Sequence, residues 1–127
     1  MKKRIISTLN APTPIGPYNQ AVIANDTLYI SGQIPLKAKN MELIQGGIKK
    51  ETQQVMENLG FILEAAEMKF ENVVKSTIFL SEMENFGQVN QVYNSFFENE
   101  SAPARETVAV KELPKNVRIE ISMIAVK

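Results

Sequence analysis

This 127-residue chain contains no cysteine and no histidine. Without cysteine there is no disulfide framework, no thiolate nucleophile and no sulfur-ligated metal or iron–sulfur cluster. Without histidine the commonest general base near neutral pH and the commonest zinc or iron ligand are gone, which leaves carboxylates, lysine, tyrosine and hydroxyls as chemical groups. No metal and no cofactor is expected. Charge of one sign is also lacking: Lys plus Arg and Asp plus Glu number 14 each, for a formal net charge of zero. The balance favours neither a nucleic acid nor an anionic membrane as partner. The basic start Met1-Lys2-Lys3-Arg4 runs through Ile5-Ile6 straight into Ser7-Thr8, so the apolar region of a secretory signal is missing. No stretch approaches the roughly 20 apolar residues that span a bilayer. The expectation is a soluble cytoplasmic protein.

Two familiar catalytic signatures are absent as well. Gly46-Gly47 lacks the glycine spacing and following lysine of a phosphate-binding loop, and Ser31 beside Gly32 has no histidine to activate it.

What remains reads as one small domain, residues 1–127. Turn signals at Pro12, Pro14, Gly16-Pro17, Asn25-Asp26 and Gly32 separate short apolar runs such as Ala21 to Ala24 and Leu28 to Ser31. These predict short strands, with Asn25-Asp26 a hairpin turn. Residues 35 to 46 read as a surface loop. Then the period changes. Ile48, Thr52, Val55, Leu59, Ile62 and Ala66 form a helical stripe and predict a helix from about Gly47 to Glu67, with Gly60 marking a close approach to the sheet. Val73 to Leu80 is dense in branched and aromatic residues, as in a covered strand. A second helix is expected from about Asn85 to Glu98, with Asn85 and Gln88 as a capping pair and Ser101-Ala102-Pro103 as its stop. Glu106 to Val110 and Val117 to Val126 complete the strands. In the last, Val117, Ile119, Ile121, Met123 and Ala125 share one face, and Arg118, Glu120 and Ser122 the other.

This order predicts an α/β (α+β) sandwich, a mixed sheet with two helices packed on one face. The opposite face is expected to carry apolar groups too: if Val74, Ser76, Ile78 and Leu80 point one way, then Val73, Thr77 and Phe79 point the other. Two helices cannot cover both, so self-association is expected.

Two side chains are candidates for chemistry. Arg105 follows Ser101-Ala102-Pro103-Ala104, so a stiffened segment precedes a guanidinium that can grip a planar carboxylate with two charge-assisted hydrogen bonds. Taken alone, an arginine at a strand start serves as readily in a surface ion pair. Glu120 sits mid-strand between Ile119 and Ile121, where a charge needs solvent, a counterion or a role. An ion pair with Arg118 on an exposed sheet face explains it as readily.

Ala11-Pro12, Ile15-Gly16-Pro17-Tyr18, Ser31-Gly32-Gln33-Ile34-Pro35, Val89-Asn90 with Tyr93, Pro103-Ala104-Arg105, Leu113-Pro114-Lys115 and Ile119-Glu120-Ile121 resemble, in order and spacing, the RidA/YjgF family of imine deaminases. The resemblance runs essentially end to end. It implies a chorismate-mutase-like fold and a homotrimer whose sheets form a central barrel with the helices outside. It also implies an active site between subunits, in which first-strand residues of one chain meet Arg105 and Glu120 of another. The implied reaction is metal-free hydrolysis of 2-imino acids (2-iminobutanoate, 2-iminopropanoate) to 2-keto acids and ammonia. By the same resemblance Arg105 holds the substrate carboxylate and Glu120 orients a water and relays protons. Tyr18, Ser31, Gly32 and Asn90 line the pocket, and the Thr107 backbone bonds the imine side.

The chain departs from the family pattern at Glu106, where a small residue is common, at Thr107, where cysteine is common, and at Glu67-Met68-Lys69, which replaces a glycine-containing turn. A carboxylate at 106 could compete for the Arg105 guanidinium. A non-catalytic trimer that binds small carboxylate metabolites is the alternative function. A nuclease activity, attributed to some relatives, has little support from a net charge of zero.

Overall fold

A computed structural model of the chain describes residues 2–127. Strands β1 (Lys3–Ile6), β2 (Ala21–Ala24) and β3 (Thr27–Gln33) form an antiparallel meander. Helix α1 (Ile48–Ala65), strand β4 (Val73–Leu80), helix α2 (Phe86–Asn94), and strands β5 (Ala104–Ala109) and β6 (Ile119–Val126) follow. One six-stranded sheet results, in the order β1-β2-β3-β6-β4-β5. Every pairing is antiparallel except β4 with β5, the pair joined through α2. This is the expected mixed sheet, with both helices on one face.

The core lies between that face and the helices. Val55, Met56, Leu59 and Ile62 of α1 and Val89 of α2 meet Leu28, Ile78, Leu80, Ile119 and Ile121 of the sheet, all fully buried. Each such side chain contributes roughly 1.5–3 kcal/mol by leaving water. Asn25-Asp26 closes the β2–β3 hairpin as expected, with Ala24 opposite Thr27 and Asn25 at φ 57°, a conformation asparagine tolerates well.

Four local expectations are corrected. Asn85 makes no side-chain cap; it closes a short 3₁₀ turn, Met83–Asn85, whose helical backbone leads directly into α2. The helix ends at Asn94 rather than near Glu98, and beyond it Phe96 and Phe97 pack tilted and edge-on against Phe70, with ring centroids 5.2 and 5.5 Å away. Gly60 marks an approach to Phe70, not to the sheet: a Cβ there would lie 3.2 Å from that ring. In β4, Val73 pairs with Ala125 and Lys75 with Ile124, so Val74 is a bulge residue. Val73 therefore joins Ser76, Ile78 and Leu80 on the core side, and Val74 is exposed.

The second sheet face nonetheless carries apolar rows beside its charged groups, and no helix among the described residues lies over it. Register places Ile5, Val22, Tyr29 and Ile124 in one row across four strands, and Val108 beside Phe79. Tyr29 is 50% exposed and Val108 42%. No helix among the described residues is long and apolar enough to cross a membrane.

Candidate active site

Strand β6 alternates cleanly, Ile119 and Ile121 entering the core, so Glu120 emerges on the face away from the helices. A bulge in β3 prepares its surroundings. Ile30 pairs with Met123 and Gln33 with Ile121, so Ser31 and Gly32 together stand opposite Ser122. The extra residue keeps both Ile30 and Gln33 buried and brings the backbone of Gly32 against the Glu120 carboxylate. A Cβ on Gly32 would fall 1.9 Å from Glu120 Oε2, so any larger residue here would displace this carboxylate.

The segment before β2 forms the other wall. Ser31 Oγ donates to the Asn19 carbonyl at 2.6 Å, and Ser31 N to the Gln20 carbonyl at 2.9 Å. Gln20 is 3% exposed and fully engaged: its oxygen accepts from Thr8 N, and its nitrogen donates to the carbonyls of Thr8, Ala11 and Pro12. That fastens the 8–12 segment as a lip. The result is a cavity of about 510 Å³ lined by Pro12, Tyr18, Gly32, Ile34, Lys115 and Glu120 among others. Lys115, one of the lining residues, adopts a left-handed backbone conformation at φ 56°. Burial raises the Glu120 carboxyl above the usual glutamate range. Arg118 does not pair with it; Arg118 makes a two-pronged contact with Glu51 of α1.

A second cluster forms on the helix face. Arg105 stands opposite Ser76 in the parallel β4–β5 pair and points toward α2. Its Nη1 donates to Asn90 Oδ1 at 2.6 Å, and its guanidinium lies 4.9 Å from the Tyr93 ring centroid and 5.5 Å from that of Phe86. Thr107, two residues on, shares this face, and its hydroxyl is buried without a hydrogen-bond partner. Glu106 does not compete for the guanidinium. It points to the other face, accepting from Thr77 Oγ1 at 3.1 Å and pairing with Lys75 Nζ at 3.3 Å, contacts that hold its carboxyl below the usual range.

The structure thus gathers Tyr18, Ser31, Gly32 and Glu120 at one place and Arg105, Asn90 and Thr107 at another. The expected grouping of Glu120 with Arg105, met by first-strand residues of another chain, is corrected: Glu120 belongs with the first-strand residues of its own chain. Phe86, Tyr93, Ser76 and Gln20 were not singled out for the site. The spacing 86, 90, 93 places three residues on one helix face and was a usable signal; nothing in the sequence marks Gln20 as the clasp of the lip.

The family model described as Endoribonuclease L-PSP matches residues 8–127. The chain belongs to the RidA/YjgF family. It is 50% identical over 125 residues to a RutC family protein of Pyrococcus horikoshii, covering 98% of each chain. It is 46% identical over 125 residues to the 2-iminobutanoate/2-iminopropanoate deaminase of Mus musculus, covering 98% of this chain and 92% of the mouse protein. Among solved structures it is similar to TdcF of E. coli with bound serine, at a TM-score of 0.91, 36% identity and 98% coverage of both chains. Among the described residues of the RidA/YjgF chain, no group of three or more acidic side chains is placed to hold a metal ion.

Proposed function

We propose that this protein is a hydrolase that converts 2-imino acids, such as 2-iminobutanoate and 2-iminopropanoate, to 2-keto acids and ammonia. One observation carries the reading: a half-buried carboxylate, Glu120, rests on the Gly32 backbone inside a largely apolar cavity and makes no ion pair among the described residues. The 46% identity to the mouse deaminase supports it.

In this reading a protonated 2-imino acid supplies its own electrophile. The guanidinium of Arg105 grips the carboxylate, and Glu120 accepts a proton from a water as its oxygen bonds to C2 and the C=N π electrons move to nitrogen. Glu120 then passes that proton to nitrogen. The carbinolamine collapses: the C–N bond breaks, ammonia leaves, and loss of the hydroxyl proton yields the keto acid. A carboxyl raised above its ordinary value suits this work, because its conjugate base holds a proton more firmly near neutral pH.

The two clusters belong to one site only if they come from different chains. Glu120 aligns with Phe79 and Arg105 with Ser76, three residues apart along β4 and on opposite faces of the sheet. At about 3.3 Å per residue and about 4.8 Å per strand, their Cα atoms lie roughly 14 Å apart. We therefore place Arg105, Asn90 and Thr107 of one subunit against Tyr18, Ser31, Gly32 and Glu120 of the next. The assembly would be a homotrimer of chorismate-mutase-like protomers with the apolar sheet faces turned into a central barrel. Light scattering at micromolar concentration should give a trimer mass, and a monomer would contradict the assembly. The function itself is tested by ammonia release from freshly generated 2-iminobutanoate. Binding of 2-oxobutanoate with no ammonia release would make the protein a carboxylate-binding trimer instead.

A further inference from the structure

Ser76 is a polar residue on the buried face of β4, fully enclosed, whose companions Val73, Ile78 and Leu80 are apolar. Its hydroxyl accepts a hydrogen bond from Tyr93 Oη at 2.9 Å. A hydroxyl pair is a poor way to gain stability at such a place, since an apolar pair of the same shape is nearly neutral or stabilising. Its location offers another reason. Ser76 is the register neighbour of Arg105, and Tyr93 reaches it from α2 by passing its ring beneath the guanidinium.

We propose that Ser76 and Tyr93 are positioning residues that preset the plane of the Arg105 guanidinium, so that its free edge meets a planar carboxylate. The proposal rests on the reading of Arg105 as the carboxylate-holding residue. The hydrogen bond pins the tip of Tyr93, which fixes the height and tilt of the surface on which the cation lies. Phe86, seven residues earlier on the same helix face, supplies a second ring, and Asn90 between them accepts one N–H. One of five donors is used in this way; the others have no protein acceptor among the described residues and remain for a ligand. The phenol is suited to permanent donation, because burial raises its pKa further above neutrality. Cation–π attraction alone would hold the charge near the rings, but a bidentate fork also needs a fixed plane, which is what the anchored ring adds.

The test uses Ser76→Ala and Tyr93→Phe, each of which removes the hydrogen bond while leaving volume nearly unchanged. Three readouts are compared: calorimetric affinity for 2-oxobutanoate, the KM and kcat of ammonia release, and the NMR rotation rate of the Arg105 guanidinium about its Nε–Cζ bond. Weaker 2-oxobutanoate binding and a raised KM, each by roughly 3- to 10-fold, with a smaller change in kcat and a faster guanidinium rotation, are expected. In an Arg105→Lys background, which has no planar fork to orient, Ser76→Ala should add nothing further. Unchanged affinity and unchanged rotation in folded Ser76→Ala and Tyr93→Phe would overturn the proposal, even if their thermal stability fell. A parent protein that binds 2-oxobutanoate through Arg105 yet never releases ammonia would defeat the deaminase reading, while the binding and rotation measurements would still decide this one.

Discussion

The carboxylate half and the guanidinium half of the candidate site are built on opposite principles. Glu120 is positioned by backbone: a strand that alternates without interruption, a bulge that lifts Gly32 toward it, and a buried glutamine that ties down the lip. Among the described residues no cation or donor pairs with it, and burial disfavours its charge. Arg105 is positioned by side chains: two rings, an amide oxygen and, at one remove, a buried hydroxyl. The contrast fits the two tasks proposed for these residues. A proton relay works best when its pKa is moved toward neutrality and its neighbours leave it free, whereas an orienting cation needs its plane fixed before the ligand arrives.

The largest expected effect tests the carboxylate half. Glu120→Gln keeps the shape but not the basicity, and ammonia release should fall about 10²- to 10⁴-fold with 2-oxobutanoate binding largely intact. Release at the parent rate would reduce Glu120 to a solvated strand residue. Arg105→Lys probes the other half. Truncating one member of a buried, hydrogen-bonded charge pair commonly costs about 2–5 kcal/mol, roughly 30- to several-thousand-fold in affinity. A severe loss of keto-acid binding is expected because lysine lacks the fork, and a mild loss would show that charge alone suffices.

Smaller effects separate the halves by stability. The folded-state pKa of Glu120 is raised, so between the ordinary carboxyl value and that raised value the folded chain binds more protons than the unfolded one. The contribution of this residue to stability therefore falls as pH rises through that window, and stays at its lower level above it. Urea denaturation should find Glu120→Gln more stable than the parent at neutral pH, with the difference vanishing below pH 4; equal stability at both would contradict the burial argument. In the other half, Thr107→Val replaces an unsatisfied buried hydroxyl with a methyl group. A gain of about 1 kcal/mol with unchanged turnover is expected, since the role assigned to position 107 belongs to its backbone.

The sequence made some of this contrast legible and hid the rest. Strand β4 was readable to the residue, because Val73 to Leu80 is a dense branched and aromatic run, and α1 was readable within two residues from its stripe. The outward direction of Glu120 followed from the Ile119 and Ile121 alternation. Neither bulge was legible. A bulge is a relation between two strands, and Ser31-Gly32 becomes one only when Ile30 and Gln33 are matched to Met123 and Ile121. Alternation along β5 set Glu106 against Arg105, as the structure has it, but which of them faces α2 depended on pairing with Ser76. For the same reason the residues of the site could be named by resemblance, while their division between two faces of the sheet could not.

That division is the central claim, and mixing chains tests it most directly. Glu120→Gln chains and Arg105→Ala chains, each inactive alone, are combined under conditions verified to exchange subunits. If each site takes its glutamate from one chain and its arginine from the next, every mixed cyclic trimer contains one intact site, so a random equal mixture should regain about a quarter of the parent sites. Recovery of ammonia release near that fraction is the predicted result; no recovery after proven exchange would mean that both residues serve a site within one chain and would contradict the account.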